Sequence, residues 1–282
     1  MVDRRTKNAE IFRDTEYRYK SDSELIAIVQ ESTQNQVFIS EKSTVNITVQ
    51  SKPYKAKVVV SGKRSLEAAE VYAKQGKKVC VLNFASATNP GGGVANGSSA
   101  QEEAICRCTT LFPCLNTDYM WNIFYSPHRK KADPLYNNDC IYTPNVTVFK
   151  SDINFPEPLH KEDWWNVNII TCAAPNLRER PSNAMNPHAG DKAAKITPAE
   201  LEKLLTKRIR RIFEIAAANG NQALILGAFG CGAFRNPPEL VAKVFNKVMR
   251  DFLCYFDTIE YAVYHTEREM ANYEAFCKEI KA

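Results

Sequence analysis

Asn83-Phe-Ala-Ser-Ala-Thr-Asn-Pro-Gly-Gly-Gly-Val-Ala-Asn-Gly-Ser-Ser-Ala-Gln-Glu-Glu103 is the stretch on which the reading of this chain turns. A short apolar run, Lys78-Val-Cys-Val-Leu82, precedes it and reads as a buried strand. Ala104, Cys108, Leu111 and Leu115 follow at i, i+4, i+7 and i+11, the spacing of one helical face. The predicted unit is strand, glycine-rich loop, helix. Ser98 or Ser99 is the expected N-cap, with Gln101 or Glu102 three residues on as its capping-box partner. Three successive glycines leave backbone N–H groups unshielded and permit positive φ. Ahead of a helix N-terminus, such a loop can wrap phosphate or ribose oxygens. A Gly-Gly-Gly run by itself reads more readily as a flexible surface turn. Neither a Walker Gly-Lys-Ser/Thr nor the spacing of a GxGxxG fingerprint is present.

Working outward, residues 3–31 read as two helices. Ile11 and Phe12 anchor the first; Leu25, Ile26 and Val29 anchor the second, capped by Ser21 or Asp22. Val45–Val49 alternates like a strand, and Lys57–Val60 is another. Ser65 to Gln75 is a predicted helix closed by Gly76. From Asn116 to Asp139 the chain is aromatic, with Trp121, His128 and Tyr136, and is expected to be a helix followed by a long functional loop. Ile141–Phe149, Val167–Cys172, Ala223–Leu226 and Ile259–Tyr264 read as strands. Residues 177–196 read as a loop or flap. Thr197 and Pro198 open a helix to about Asn219, whose basic run Lys207, Arg208, Arg210 and Arg211 is expected on a solvated face. Pro237-Pro238 opens another helix to about Cys254, and Glu267 to Lys281 forms the last. Strands alternating with helices from about residue 57 argue an α/β fold with helices on both faces of a sheet.

The chain has 282 residues, 44% hydrophobic and 24% charged, enough for a sizeable globular core. No apolar run approaches the roughly 18 residues of a membrane span, and Met1–Lys7 lacks a signal-peptide core. Nine cysteines, mostly in apolar runs, read as reduced thiols, and a cytoplasmic location is expected. Cys106, Cys108 and Cys114 lack the second ligand pair of a zinc site. The net charge of +5 suits an anionic substrate without demanding nucleic acid; no sequence-specific nucleic-acid binding is expected.

A second glycine loop, Gly227-Ala-Phe-Gly-Cys-Gly-Ala-Phe-Arg235, also follows a strand and precedes a helix. In an open α/β sheet both loops would lie beyond the carboxyl ends of strands, where their N–H groups could converge on one pyrophosphate. The spacing is wrong for a nicotinamide-binding fingerprint. Cys231 with His265 as its base is a further candidate nucleophile, but nothing in the sequence brings the two together.

Gly91-Gly-Gly93, seven residues and then Gln101-Glu102-Glu103, with Asn83-Phe-Ala-Ser and Asn89-Pro ahead of it, resembles the signature of microbial-type poly(ADP-ribose) glycohydrolases of the macrodomain superfamily. The resemblance covers about residues 1–282 and is strongest in 78–115 and 222–240. It implies a three-layer α/β macrodomain fold, a central mixed sheet flanked by helices. A helical extension over residues 1–44 would pack on a catalytic domain over 45–282. It implies hydrolysis of ribose–ribose O-glycosidic bonds in poly(ADP-ribose), releasing ADP-ribose, without metal or cofactor. Glu103 would be the acid/base and Glu102 the ribose-binding partner. Asn89, Gly91, Gly92, Gly93 and Gln101 would line the substrate, with Gln101 supporting the loop. Gly230, Cys231, Gly232, Ala233 and Phe234 would form the diphosphate loop, Phe234 packing on the distal ribose. Alternatives left open are a mono(ADP-ribosyl) hydrolase acting on a protein or nucleic-acid acceptor, and a macrodomain that binds ADP-ribose without cleaving it.

Adjacent glutamates on a helix diverge by about 100° and are not expected to flank one bond. One glutamate would then perform both proton steps. On this reading Glu103 is desolvated with a raised pKa, while Glu102 stays ionised.

Overall fold

The computed structural model describes residues 3–183 and 187–281. Residues 184–186 of the expected 177–196 loop, residues 1–2 of the expected extension and residue 282 lie outside the described residues.

Two helices open the chain, α1 (Arg4–Ser21) and α2 (Ser23–Gln34). Asp22 separates them, its carboxylate accepting the N–H groups of Glu24 and Leu25 as the N-cap of α2. After β1 (Val37–Ile39) and β2 (Lys57–Ser61) come α3 (Ser65–Ala73) and β3 (Val79–Phe84). The glycine loop leads into α4 (Gln101–Cys108) and α5 (Leu111–Leu115). Then come α6 (Asp118–Met120), a π-type turn Trp121–Tyr125 and α7 (Ser126–Lys131). The rest is β4 (Cys140–Val148), β5 (Trp165–Cys172), α8 (Pro198–Ala218), β6 (Ala223–Leu226), α9 (Pro238–Met249), β7 (Thr258–Ala262) and α10 (Ala271–Glu279).

The seven strands form one mixed sheet in the order β1-β4-β5-β3-β6-β7-β2. The β1–β4 and β4–β5 pairs are antiparallel and the others parallel. Period-two alternation divides the core. Cys80, Leu82, Leu224 and Leu226 face α8, α9 and α10, whereas Val79, Val81, Ala223 and Ile225 face α1, α3, α4 and α5. This is the three-layer α/β architecture with a central mixed sheet that the sequence predicts. No helix among the described residues is long and apolar enough to cross a membrane.

Four local expectations are corrected. Val45–Val49 forms no strand; Val45 and Ile47 lie against the α8-side core without a hydrogen-bonded neighbour strand, and Val37–Ile39 takes the edge position beside β4. Ser98 and Ser99 do not cap α4. Ala100 is its N-cap, while the Ser98 N–H donates to Gly93 O and its carbonyl accepts from Arg107 at 2.5 Å. The helical face expected to run on to Leu115 is broken at Thr109, which adopts an extended conformation and bridges to Val148, so Leu111 and Leu115 belong to α5. The basic run on α8 divides: Lys207 is exposed and Arg210 partly so, as expected, but Arg208 and Arg211 are buried, and Arg211 donates to the carbonyls of Ser40 and Ser43.

Candidate active site

Adjacent parallel strands β3, β5 and β6 deliver their carboxyl ends to one edge of the sheet. The antiparallel β4 begins at that edge, so the residues entering it lie there too. Residues 172–177 form a floor between the two glycine loops. Ala85 N–H donates to Cys172 O at 3.0 Å, and Leu177 N–H to Phe234 O at 2.9 Å. Asn236 Nδ2 donates to Pro175 O at 2.7 Å. A side chain at Gly230 would meet Ala174 Cβ at 2.5 Å, so the second loop lies directly on this floor.

The first loop folds over the N-terminus of α4. Gly92 N–H donates to Asn89 O at 3.1 Å and Val94 N–H to Gly91 O at 3.1 Å, winding the three glycines into a turn. Gly92 has φ +57°, in the left-handed region. A Cβ there would fall 2.6 Å from Glu103 Oε1 and 3.0 Å from Glu102 Oε2. The expected divergence of the two glutamates therefore does not separate their carboxyl groups. Both side chains bend towards the backbone of Gly92, where only a glycine leaves them room.

Each carboxyl group has its own surroundings. Glu102 is 3% exposed; Oε2 accepts Ser86 N–H at 2.7 Å and Oε1 accepts Asn83 Nδ2 at 3.4 Å. Glu103 is 8% exposed; Oε1 accepts Gly93 N–H at 2.9 Å, and the buried Oε2 has no hydrogen-bond partner among the described residues. Burial pushes the Glu102 pKa well above the usual carboxylate range, and repulsion from Glu103 adds to it. Burial also raises Glu103, against the pull of the Gly93 N–H and the Arg107 charge. Loss of hydration therefore raises both pKa values before substrate arrives, and the expectation that Glu102 stays ionised has this burial against it.

Gln101 braces the strand. Its Oε1 accepts Phe84 N–H at 2.9 Å, and its Nε2 donates to Leu82 O at 2.7 Å and Ser65 Oγ at 3.0 Å. Asn89 receives a hydrogen bond from the Arg129 guanidinium, which also donates to Thr88 O at 2.7 Å and stacks on Trp121 at 4.4 Å. In the second loop Gly232 and Ala233 are exposed, and Gly232 has open space where a Cβ would be. Phe234 is half-buried, 6.1 Å from the Tyr136 ring, and clusters with Ala87 and Ala173. Cys231 is not activated: burial pushes its thiol up, and its Sγ points to Phe229 O. His265 packs elsewhere, stacked on Tyr273 and against Gly62. Among the described residues, no group of three or more His, Cys, Asp or Glu side chains is arranged to hold a metal ion.

The first loop is also held from behind by α1. Asn8 Nδ2 donates to Gly97 O at 3.2 Å and Arg5 Nε to Asn96 O at 2.8 Å. Thr15 Oγ1 donates to Arg107 O at 2.6 Å, tying α1 to the helix that carries the glutamates.

A three-layer fold with two such loops at one sheet edge and a buried glutamate pair at a helix N-terminus defines a macrodomain-type hydrolase. More narrowly, the chain belongs to the family of microbial-type PARG catalytic domains, whose pattern matches residues 6–151. The poly(ADP-ribose) glycohydrolase of Thermomonospora curvata is similar over 98% of this chain and 100% of that one, with 26% identity and a TM-score of 0.83. The same enzyme bound to the inhibitor ADP-HPD gives a TM-score of 0.80 at 26% identity, covering 97% and 99% of the two chains. The Deinococcus radiodurans enzyme in complex with ADP-ribose gives 0.71 at 27% identity, covering 89% of this chain and 96% of that one. No curated protein sequence matches the chain.

Several residues at the site had no assigned role in the sequence reading: Asn83 and Ser86 beneath Glu102, Arg129, Tyr136, and the α1 side chains behind the loop. Asn83 and Ser86 stood inside the motif and Tyr136 in the aromatic 116–139 stretch, whereas Arg129 and the α1 side chains had no local signal.

Proposed function

We propose that the chain hydrolyses ribose–ribose O-glycosidic bonds of poly(ADP-ribose) and releases ADP-ribose. The observation that carries this reading is the contrast within the pair. Both Glu102 oxygens hold protein donors, while Glu103 presents a buried, unpartnered Oε2 beside the glycine loop. A carboxylic acid kept protonated by burial can donate its proton to the leaving ribose oxygen as the C–O bond breaks. Positive charge then develops at the anomeric carbon. Glu103, now a carboxylate, takes a proton from the water whose oxygen bonds to that carbon, and the acid is restored. Glu102 orients a ribose hydroxyl, exchanging one of its present donors for the sugar. In the second loop the N–H groups of Gly230 and Gly232–Phe234 receive the diphosphate; in the first, where Gly92 N–H is given to Asn89 O and Gly93 N–H to Glu103 Oε1, Gly91–Gly93 let the substrate approach closely. Asn89 shapes the entry to that loop, and Phe234 packs on the distal ribose. Gln101 acts through the strand end it braces. Residues 1–44 serve as an N-terminal, mainly helical extension that buttresses the first loop and lends the sheet its edge strand β1, and residues 45–282 form the catalytic domain.

Incubation of the chain with poly(ADP-ribose) and, separately, with mono-ADP-ribosylated protein tests this. ADP-ribose should appear rapidly from the polymer. Release from the mono-modified protein alone would make the chain a mono(ADP-ribosyl) hydrolase. Binding of ADP-ribose with release from neither would make it a binding module.

A further inference from the structure

We propose that Arg208 is a positioning residue for the aromatic wall of the pocket, holding Tyr136 against Phe234 through the backbone on either side of the site. Arg208 projects from α8 and is 1% exposed. Its Nε donates to Asn138 Oδ1 at 3.0 Å, Nη1 to Ala173 O at 2.9 Å and Nη2 to Leu135 O at 3.1 Å. All three acceptors are neutral, and no carboxylate among the described residues forms an ion pair with it. A buried cation without a carboxylate in contact is costly to a fold, and the same burial lowers its pKa, which the more distant Glu41 and Asp133 only partly offset. A position that needed only hydrogen bonds to two carbonyls would not need a full charge.

What it clamps explains the residue. Leu135 precedes Tyr136, whose φ of +56° lies where a bulky side chain is rarely found. Tyr136 is buried in the small cluster with Ala87, Ala173 and Phe234. One guanidinium thus joins the chain entering β4, at Leu135 and Asn138, to the chain leaving β5, at Ala173. A second tie runs alongside: Asn176 N–H donates to Pro134 O at 2.7 Å. The planar fork of arginine meets three acceptors at once, which the point charge of a lysine does not reproduce. Strained backbone persists where its surroundings over-determine it, and such strain clusters at ligand sites. Here Arg208 is the over-determining group.

This inference rests on the reading of Phe234 as the wall of the ribose pocket. Its test is a double-mutant cycle with Arg208→Lys and Tyr136→Ala, followed by kcat on poly(ADP-ribose), ADP-ribose affinity by calorimetry, and thermal unfolding. Each single variant should lose about tenfold in kcat, with ADP-ribose affinity within about threefold, because misplaced geometry costs turnover before binding. The double variant should lose no more than either single one. Multiplicative losses overturn the proposal, as does full kcat in Tyr136→Ala, which needs no Arg208 variant to fold. A readout without catalysis separates this from the proposed activity: the fluorine resonance of 3-fluorotyrosine at position 136. That resonance should move or broaden in Arg208→Lys; an unmoved resonance overturns the clamp. A shifted resonance in a chain that releases no ADP-ribose would refute the activity and leave the clamp standing.

Discussion

Replacing Gly92 with alanine perturbs the site at the point where both carboxyl groups meet the loop. The new Cβ would fall 2.6 Å from Glu103 Oε1, 3.0 Å from Glu102 Oε2 and 3.3 Å from Glu103 Cδ. An ordinary separation of roughly 3.5 Å requires Glu103 Oε1 to retreat by about 1 Å. Glu103 cannot swing out freely, because it is buried and its Oε1 is held by Gly93 N–H. The backbone adds a second cost: φ +57° disfavours an L-residue by about 1–2 kcal/mol. A displacement on the order of 1 Å at a reacting group lowers turnover by about 10²-fold. We expect Gly92→Ala to lose about that much kcat on poly(ADP-ribose). Its melting temperature should fall by several degrees, about 2–4 °C per kcal/mol for a chain of this size. Gly232→Ala is the control. It has open space and no positive φ, so its melting temperature should match wild type. The assay is steady-state release of ADP-ribose beside thermal unfolding of all three proteins. A folded Gly92→Ala variant with wild-type kcat would refute the reasoning, since the glycine would then not be what keeps the carboxyl groups in register.

Phe234→Ala should lower kcat more than ADP-ribose affinity, because the ring positions the distal ribose while backbone N–H groups hold the diphosphate; equal proportional losses in kinetics and calorimetry count against this. Burial raises both glutamate pKa values, so in the window between the unfolded and folded values the native chain binds more protons than the unfolded one. Stability therefore falls as pH rises through that window and levels off above it. Glu102→Gln removes one such group, and its advantage over wild type in urea unfolding should widen from about pH 5 to about pH 8. A gap that does not change with pH would show that burial does not tune the pair. At Gly97 a Cβ would fall 1.9 Å from the carbonyl of Arg5, at φ +75°. Gly97→Ala should therefore lift α1 from the loop and cost about 3 kcal/mol in urea unfolding; wild-type stability would show that α1 is not seated there.

The layered fold was legible because its signals are local. Short apolar runs such as Val79–Leu82 and the Thr197 capping box of α8 state their own conformation. The glutamate pair was legible because it stands in one short motif with the glycines. What the sequence hid depends on tertiary contact. Val45–Val49 has the right alternation, but a strand needs a hydrogen-bonded neighbour, and the place beside β4 is taken by Val37–Ile39. Arg208 looked solvated because it stands in a basic run. Spacing gave a contrary signal: Leu201, Leu205, Arg208, Ile212 and Ile215 form one buried stripe of α8. Adjacent helix positions suggested carboxyl groups pointing apart, since side-chain torsions that bring both to Gly92 are not written in residue spacing. Nor does residue spacing show that Glu102 is buried: helix position favours its charge, and burial raises its pKa.

That Glu103, and not its neighbour, moves the proton is tested most directly by kcat of Glu103→Gln on poly(ADP-ribose), taken with its calorimetric affinity for ADP-ribose. Turnover should fall by about 10²-fold or more, the scale of lost acid–base help. Affinity should stay within about a factor of ten, a step of about 1.4 kcal/mol, because backbone N–H groups of the second loop hold the diphosphate. Near-full turnover by a folded Glu103→Gln variant, with Glu102→Gln inactive, would reverse the assignment; full activity in both variants would contradict the claim outright.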